Sequence, residues 1–262
     1  MNQKQTKDNF ILIRGLARES GHWDLFPKTL QSRFPEANIH FIDLPGSGKY
    51  HNTDYPLSEK RLINFVHDKI LTLKDRHKGT WSVIGISLGG IVSMKLLEKY
   101  PTALDYAFII NSSARGLSPF YKRLYFKVYG SFLGTLTAKS FEEREMKILN
   151  FTTNILPENE KKRISKSWAK IHSQRPIQLN NIIRQLLWAA KAKTPKSIET
   201  RMLIMAGKQD GLCHYSCSEE IAKQLNKNLS LHDHAGHDLP ADDGNWVVSQ
   251  INDFIRNDLD TL

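Results

Sequence analysis

Trp81–Ile86 is a run of strand-forming residues, and a helix pattern over Leu88–Lys99 follows it with one residue between them. That residue, Ser87, has a glycine two positions before it and another two positions after it. A strand that turns so sharply into a helix needs these glycines to avoid clashes, and it holds the serine hydroxyl clear of its neighbours. The sequence therefore predicts that Ser87 is presented as a nucleophile.

Apolar runs of strand length alternate with helix patterns over most of the 262 residues. The predicted strands are Phe10–Arg14, Ile39–Asp43, Trp81–Ile86, Asp105–Asn111, Met202–Ala206 and Leu229–His232. Strands that alternate with helices along the chain form parallel sheets with helices on both faces. We therefore predict an α/β fold with a mostly parallel sheet, built from residues 1–112 and 200–262.

The alternation stops at Ser112 and resumes at Met202, which leaves a long stretch without a clear strand run. Helix patterns fill it: Leu156–Ile171 is strongly basic, and a later group of residues fits one apolar face of a second helix. That group comprises Ile177, Ile182, Ile183, Leu186, Leu187 and Ala190. We predict that residues 113–199, called the lid segment below, form a helical lid inserted between two strands.

The lid segment also carries aromatic residues at roughly helical spacing. They are Phe120, Tyr121, Tyr125, Phe126, Tyr129 and Phe132. We expect most of them to pack the lid onto the core. Because a lid over Ser87 must line the substrate pocket, some of its apolar side chains are expected to contact substrate.

Positive charge is concentrated in the lid segment. The chain has 37 Lys and Arg residues against 27 Asp and Glu, a formal net charge of +10. Residues 115–193 hold 16 of the basic residues and 5 of the acidic ones, so the rest of the chain has a net charge of −1. Such a block attracts acidic partners at long range, which leaves nucleic acid, an anionic membrane, an acidic protein or a merely solvated surface as alternatives.

Composition argues against a membrane protein and against a metal centre. The chain is mostly polar up to Asn9, and the apolar run Phe10–Ile13 is too short for a signal peptide or a membrane span. We predict a cytoplasmic protein without a transmembrane segment. Cys213 and Cys217 have His214 between them, and a zinc site would need at least one more ligand, so we expect two reduced structural thiols and no metal. We also expect no cofactor, because a serine nucleophile assisted by a histidine and a carboxylate needs none.

A serine nucleophile needs a histidine to accept its proton and a carboxylate to orient that histidine. Asp210 follows the predicted strand Met202–Ala206, and His237 follows the last predicted strand, so both are expected on loops at the carboxyl edge of the sheet. His232 and His234 compete with His237, but they lack the glycine that precedes it. We therefore predict a catalytic triad of Ser87, Asp210 and His237.

These residues resemble the α/β-hydrolase fold family over nearly the whole chain. Gly85–Gly89 resembles the family's nucleophile elbow, Asp43–Gly48 its glycine loop and Ala235–Asp238 its histidine loop. The resemblance implies an oxyanion hole made by two backbone N–H groups, those of Leu16 and Leu88.

One position departs from the family's pattern. Arg14 stands where the family usually has a histidine before the glycine that ends the first strand. Donation from the backbone N–H of Leu16 does not need that histidine side chain, so we expect the oxyanion hole to be present despite the substitution.

The resemblance implies a carboxylic ester hydrolase that acts through an acyl-serine intermediate. The elbow and lid are similar to those of the branch that includes pimeloyl-[acyl-carrier protein] methyl ester esterases, which implies an ester carried on an acidic acyl-carrier protein and a role in biotin biosynthesis. The carrier is then expected on four basic lid residues: Arg144, Lys147, Lys162 and Lys166. The alternatives are a lipase or carbon–carbon bond hydrolase with the same triad, or a non-catalytic module that binds polyanions, with nucleic acid not the expected partner.

Overall fold

A computed structural model describes residues 7–125, 130, 134–135 and 137–259. Within them, six strands form one sheet in the order β2-β1-β3-β4-β5-β6, and every neighbouring pair is parallel. The strands are β1 (Asp8–Ile13), β2 (Asn38–Phe41), β3 (Thr80–Ile86), β4 (Tyr106–Ile110), β5 (Arg201–Gly207) and β6 (Asn228–His232). The predicted α/β fold is confirmed, with each predicted strand present and its ends shifted by at most two residues.

Helices cover both faces of the sheet. Side chains alternate along β1, so Ile11 and Ile13 belong to one apolar cluster and Phe10 and Leu12 to the other. The first cluster is completed by α2 (Glu59–Lys74), α3 (Leu88–Lys99) and α8 (Ser216–Leu225). The second is completed by α1 (Phe26–Arg33), α9 (Leu239–Asp242) and α10 (Gly244–Leu259). No helix in the described ranges is long and apolar enough to cross a membrane.

The described part of the lid segment is helical. Its helices are α4 (Phe120–Arg123), α5 (Phe141–Thr152), α6 (Glu158–Gln174) and α7 (Leu179–Lys191). Helices α5 and α6 enclose a small apolar cluster of Leu149, Ile164 and Trp168, which is separate from the clusters on the sheet. The two helices predicted in this segment correspond to α6 and α7.

Side chains of the lid segment are oriented differently from the expected pattern. Trp188 of α7 is buried in the first apolar cluster, but four large aliphatic residues of this helix are exposed and face away from the core, although such side chains ordinarily pack inward. They are Leu179, Ile183, Leu186 and Leu187. Phe120 and Tyr121 are each 53% exposed, so these two of the six aromatic residues do not pack the lid onto the core. Of the other aromatic residues, Tyr125 donates its backbone N–H to the Leu212 carbonyl at 3.0 Å. Phe126, Tyr129 and Phe132 lie outside the described residues.

The start of α3 lies in direct contact with β1. A Cβ atom placed on Gly89 would be 2.2 Å from the Ile13 carbonyl oxygen and 2.7 Å from that of Arg14. One placed on Gly85 would be 2.7 Å from the Gly89 carbonyl oxygen. These distances are too short for any side chain, so both glycines of the turn are required, as the sequence predicts.

We expect Gly89→Ala to cost more than about 3 kcal/mol of unfolding free energy, because the rigid backbone of β1 cannot move away from the new methyl group. Gly130→Ala is the control, since a Cβ atom there meets no atom of the described residues within 4 Å. It should stay within about 0.5 kcal/mol of the parent protein. Urea denaturation measures both, and equal effects of the two substitutions would contradict the tight approach of α3 to β1.

Candidate active site

Ser87 occupies the turn between β3 and α3 with φ 54° and ψ −118°, a backbone conformation that residues other than glycine rarely adopt. Its backbone N–H donates to the Ile110 carbonyl at 2.8 Å, and its own carbonyl accepts from the Ser112 hydroxyl at 2.9 Å. A strained residue costs about 1–3 kcal/mol and persists only where its surroundings fix it. The bonds to the end of β4 and the two glycines supply that constraint, and the side chain is left partly exposed.

Asp210 and His237 form a buried pair. The Nδ1 atom of His237 lies 2.7 Å from Oδ2 of Asp210, and the two side chains are 9% and 1% exposed. The other carboxylate oxygen of Asp210 accepts the backbone N–H groups of Leu212 and Cys213 at 2.7 and 2.9 Å. Because an ionised carboxylate can only accept, the proton lies on Nδ1, and Nε2 is the ring nitrogen that can take up another proton.

The sheet brings these loops to one edge. Ser87 follows β3, Asp210 follows β5 and His237 follows β6, and the carboxyl ends of parallel strands meet at the same edge. The histidine loop packs directly over the end of β5, since a Cβ atom on Gly207 would lie 2.3 Å from the Ala235 carbonyl oxygen. The structure thus joins two of the predicted triad residues by a hydrogen bond and places Ser87 at their edge of the sheet.

The charges around His237 set its protonation. Burial of the ring opposes the positive form, but the charge of Asp210, its hydrogen bond and the charge of Asp238 outweigh burial and the nearby Arg14, so the pKa of His237 is raised above its ordinary value. A histidine with a raised pKa is a stronger base toward a serine hydroxyl.

The two residues of the predicted oxyanion hole flank this edge. Leu88 is the first residue of α3, where a backbone N–H has no carbonyl one turn earlier in its own helix. Leu16 follows Gly15, and a Cβ atom on Gly15 would be only 3.0 Å from Cβ of Ser87. The main chain before Leu16 therefore passes close to the elbow, and the role of both N–H groups stays a prediction.

Arg14 is accommodated by an ion pair with the histidine loop. Its guanidinium binds both carboxylate oxygens of Asp238 at 3.0 and 2.6 Å, and it lies 5.0 Å from the centre of the Trp23 ring. Both charged side chains are buried, and Arg14 keeps the pKa of Asp238 below its usual range although burial raises it. The arginine thus connects the end of β1 to the residue after His237. The two residues are 224 positions apart, so sequence patterns do not predict this pair.

Asn111 is a positioning residue that the sequence pattern does not reveal. It is buried at the end of β4 with φ 44°, and its side-chain amide donates to the carbonyls of Gly236 and His237 at 3.0 and 2.6 Å. Its Oδ1 accepts the N–H of Gly207 at 2.9 Å. One side chain therefore fixes the histidine loop to the end of β5. An asparagine directly after a strand is a weak signal, since this residue type tolerates positive φ.

Gln185 of α7 connects the lid segment to the oxyanion loop. Its Oε1 accepts the backbone N–H of Ala17 at 2.8 Å, and its Nε2 donates to the Ser47 hydroxyl at 3.2 Å. Ala17 follows Leu16 and has φ 57°, so the glutamine holds a strained turn beside the predicted oxyanion hole. A lone glutamine in an apolar helix carries no sequence signal for this role.

The competing histidines have structural partners. Nδ1 of His232 accepts the N–H groups of His234 and Ala235, and its Nε2 is 3.3 Å from Asp243. His234 is exposed. Their geometry is consistent with the preference for His237. Cys213 and Cys217 are both buried and free.

Among the four basic residues predicted to bind a carrier, Lys147 is the one for which the described residues show an ion pair. Lys147 is ion-paired with Glu143 at 2.7 Å, and Arg144 lies against His172. Lys162 and Lys166 are exposed, but they line a surface depression of 390 Å³ together with Glu142 and Glu143. Lys162 and Lys166 of α6 therefore share this depression with the acidic first turn of α5. The carrier site stays a prediction.

A parallel sheet with a strained serine between strand and helix, and with a histidine–aspartate pair at the same edge, defines the protein as an α/β-hydrolase. The family model described as serine aminopeptidase, S33, matches residues 4–244 of this chain. The chain therefore belongs to this family of hydrolases.

The individual proteins that this chain resembles have low sequence identity to it. A pimeloyl-[acyl-carrier protein] methyl ester esterase from Nitrosomonas europaea is 29% identical over 105 residues, which cover 40% of this chain and 37% of that protein. Among solved structures, the 2-hydroxy-6-oxo-6-phenylhexa-2,4-dienoate hydrolase of a Rhodococcus strain has a TM-score of 0.72 at 17% identity, with 95% of this chain and 91% of that chain covered. A lipase-esterase related protein from Clostridium acetobutylicum gives 0.70 at 16%, covering 97% and 96%. The structural similarities show the fold alone.

We expect Asp238→Leu to cost about 3–5 kcal/mol of unfolding free energy, because it leaves the Arg14 guanidinium buried without its partner. The double variant Arg14→Met/Asp238→Leu should be clearly more stable than the single variant, since it buries no unpaired charge. Urea denaturation of the parent, of the single variants Asp238→Leu and Arg14→Met and of the double variant gives the coupling energy. Additive losses would show that the two side chains do not act as a pair.

The raised pKa of His237 predicts how hydrolysis depends on pH. Since only the neutral imidazole can accept the serine proton, kcat/KM should fall as the pH drops through a value above the ordinary histidine pKa. In Asp210→Asn the burial penalty remains and the stabilising charge is gone, so His237 should titrate at lower pH. NMR titration of the imidazole in both proteins measures this shift, and an unchanged titration would contradict the role given to Asp210.

Proposed function

We propose that the protein is a serine hydrolase that cleaves carboxylic esters through an acyl-serine intermediate. The observation that carries this proposal is the buried hydrogen bond of 2.7 Å between His237 and Asp210, at the sheet edge where Ser87 occupies a strained turn. Such a pair activates a serine hydroxyl, which is too weak a nucleophile by itself.

In the first step, the Ser87 hydroxyl adds to the ester carbonyl while Nε2 of His237 takes up its proton. The oxygen that becomes negative accepts hydrogen bonds from the backbone N–H groups of Leu16 and Leu88. Asp210 stabilises the imidazolium that has formed and does not itself become protonated. His237 then gives the proton to the leaving alcohol as the carbon–oxygen bond of the ester breaks.

In the second step, His237 removes a proton from water, and the hydroxide adds to the acyl carbon. Collapse of this intermediate breaks the bond to the Ser87 oxygen, which recovers its proton from His237. The products are a carboxylic acid and an alcohol, and the enzyme returns to its starting state. Every proton moves through His237, so the reaction requires no group beyond the chain's own residues and water.

An ester is the substrate class with the best support. The curated relative that this chain matches over part of its length is an esterase of a carrier-bound methyl ester. A carrier-bound ester is therefore a finer version of the proposal, with Lys162 and Lys166 as its most accessible docking residues. Lipases, carbon–carbon bond hydrolases and peptidases use the same triad, so the substrate must be decided by experiment.

We expect Ser87→Ala and His237→Ala each to lower kcat for p-nitrophenyl esters by on the order of a million-fold, because each removes a member of a unit that acts together. His234→Ala is the matched control for His237 and should keep activity near that of the parent protein, since its side chain is exposed on the same loop. Thermal unfolding checks that all variants are folded.

The same assay with amino-acid p-nitroanilides tests the peptidase alternative. The proposal requires a larger kcat/KM for the esters than for the anilides. Ester hydrolysis that survives Ser87→Ala, or a preference for the anilides, would contradict it.

A further inference from the structure

Helix α7 buries two polar side chains beside Trp188 and exposes most of its aliphatic ones. Its buried side chains include two amides, Asn181 and Gln185, which are each 1% exposed. Both are hydrogen-bonded to the core: Asn181 binds the main chain of Thr53 and Tyr55, and Gln185 binds Ala17 and Ser47. These bonds hold the helix in one rotational setting, because turning it over would leave buried polar groups of the core without partners.

The opposite side of α7 is apolar and faces outward. At 100° per residue, five side chains fall within one stripe centred opposite the two buried amides. They are Leu179, Ile183, Leu186, Leu187 and Ala190, of which the first four are 65%, 46%, 39% and 45% exposed. The stripe runs over eleven residue steps, about 17 Å along the helix axis. An exposed apolar stripe of this size marks an interaction surface.

Aromatic residues extend the stripe at its C-terminal end. The Arg123 guanidinium donates to the Ala189 carbonyl of α7 at 2.8 Å, which holds the short helix α4 against this end. Phe120 and Tyr121 lie on α4 and are each 53% exposed. We call the five stripe residues and these two aromatic residues the α7 face.

The chain segment that contains the stripe of the α7 face is basic. Residues 161–198 contain ten Lys and Arg residues and no Asp or Glu, and two of the ten, Arg163 and Arg175, are ion-paired with Asp24 and Glu19. Exposed Lys191, Lys193 and Lys196 follow directly after the stripe, and Arg115 pairs with the backbone of Lys193 in a β-bridge. A helix with leucine and aromatic side chains on one side and flanking lysines is typical of one that lies in the interface of an anionic bilayer.

We propose that the α7 face docks on the surface of an anionic lipid membrane. The α7 face inserts its aliphatic and aromatic side chains at the boundary between headgroups and acyl chains, and the flanking lysines bind the acidic headgroups. A second copy of the chain is a poorer occupant, because a two-fold contact would bring two basic rims together. This inference does not depend on the proposed ester hydrolysis.

Binding of the full chain to sedimented vesicles tests the proposal. Vesicles of phosphatidylcholine with phosphatidylserine should bind the protein, and phosphatidylcholine alone should bind it much more weakly. The binding to anionic vesicles should weaken as salt rises from 0.15 M toward 1 M, where the Debye length falls from about 8 to about 3 Å.

Paired variants separate the apolar and electrostatic contributions. Leu186→Gln/Leu187→Gln should lower partitioning of the protein onto anionic vesicles by about tenfold or more, because it removes two leucines from the α7 face. Leu71→Gln on α2 is the matched control, since Leu71 is 46% exposed outside the α7 face, and it should have no effect. Lys191→Glu/Lys193→Glu should lower binding by at least about fivefold per lysine. Lys28→Glu/Lys60→Glu, two exposed lysines elsewhere, controls for net charge and should have a smaller effect.

The outcomes either support the proposal or overturn it. Vesicle binding that depends on the α7 face and on salt supports it, provided that thermal unfolding shows the variants to be folded. Absence of binding to anionic vesicles at low salt overturns it, as does an equal loss in the control variants. It is also overturned if light scattering shows a dimer that Leu186→Gln/Leu187→Gln converts to a monomer. Binding of the α7 face to an acidic acyl-carrier protein and not to vesicles would overturn it as well.

Discussion

The contact between the first turn of α3 and the end of β1 determines the arrangement of the whole site. Gly89 lies so close to the carbonyls of Ile13 and Arg14 that a side chain cannot be accommodated. This approach leaves Ser87 in a strained conformation between β3 and α3, and it brings Gly15 against the serine side chain. The proposed nucleophile and the proposed oxyanion loop are therefore brought together by one close backbone contact.

Buried polar residues then fix the loops around that contact. Arg14 and Asp238 join the end of β1 to the histidine loop, and Asn111 joins the same loop to β5. A buried ion pair is a weak source of net stability, because desolvation offsets most of the attraction. We expect this ion pair and Asn111 to act mainly by orientation, because together they hold the histidine loop against the ends of β1 and β5.

The lid segment is attached to the core by polar contacts with the loop after β1. Arg18 pairs with Glu145 of α5, and Arg175 pairs with Glu19, while Gln185 binds the main chain of Ala17. The basic residues of this segment therefore divide into two groups. Some are consumed in holding the lid to the core, and others, such as Lys191 and Lys193, remain on the outer surface.

Sequence patterns predicted the fold and the elbow well, because both follow from local rules. Alternating strands and helices determine a parallel sheet, and the spacing of Gly85 and Gly89 around Ser87 determines the turn. The order of Asp210 and His237 after their strands predicted the hydrogen bond between them. The pairing of Arg14 with Asp238 could not be predicted, since it links residues 224 positions apart through tertiary packing alone.

The outward orientation of α7 was also beyond the reach of sequence patterns. Hydrophobic periodicity locates a helix, but it does not decide which face packs on the core. Here the amides of Asn181 and Gln185 satisfy polar groups of the core, and that requirement outweighs burial of the leucines.

The crystal structure of the protein after reaction with a fluorophosphonate ester is the most direct test of the central claim. A phosphonyl group on a serine imitates the tetrahedral intermediate of ester hydrolysis. We predict a covalent bond to the Ser87 oxygen, with a phosphonyl oxygen within hydrogen-bond distance of the backbone nitrogens of Leu16 and Leu88 and His237 bonded to Asp210. A protein that is never labelled, or that is labelled at another residue, would contradict the assignment of Ser87 as the nucleophile.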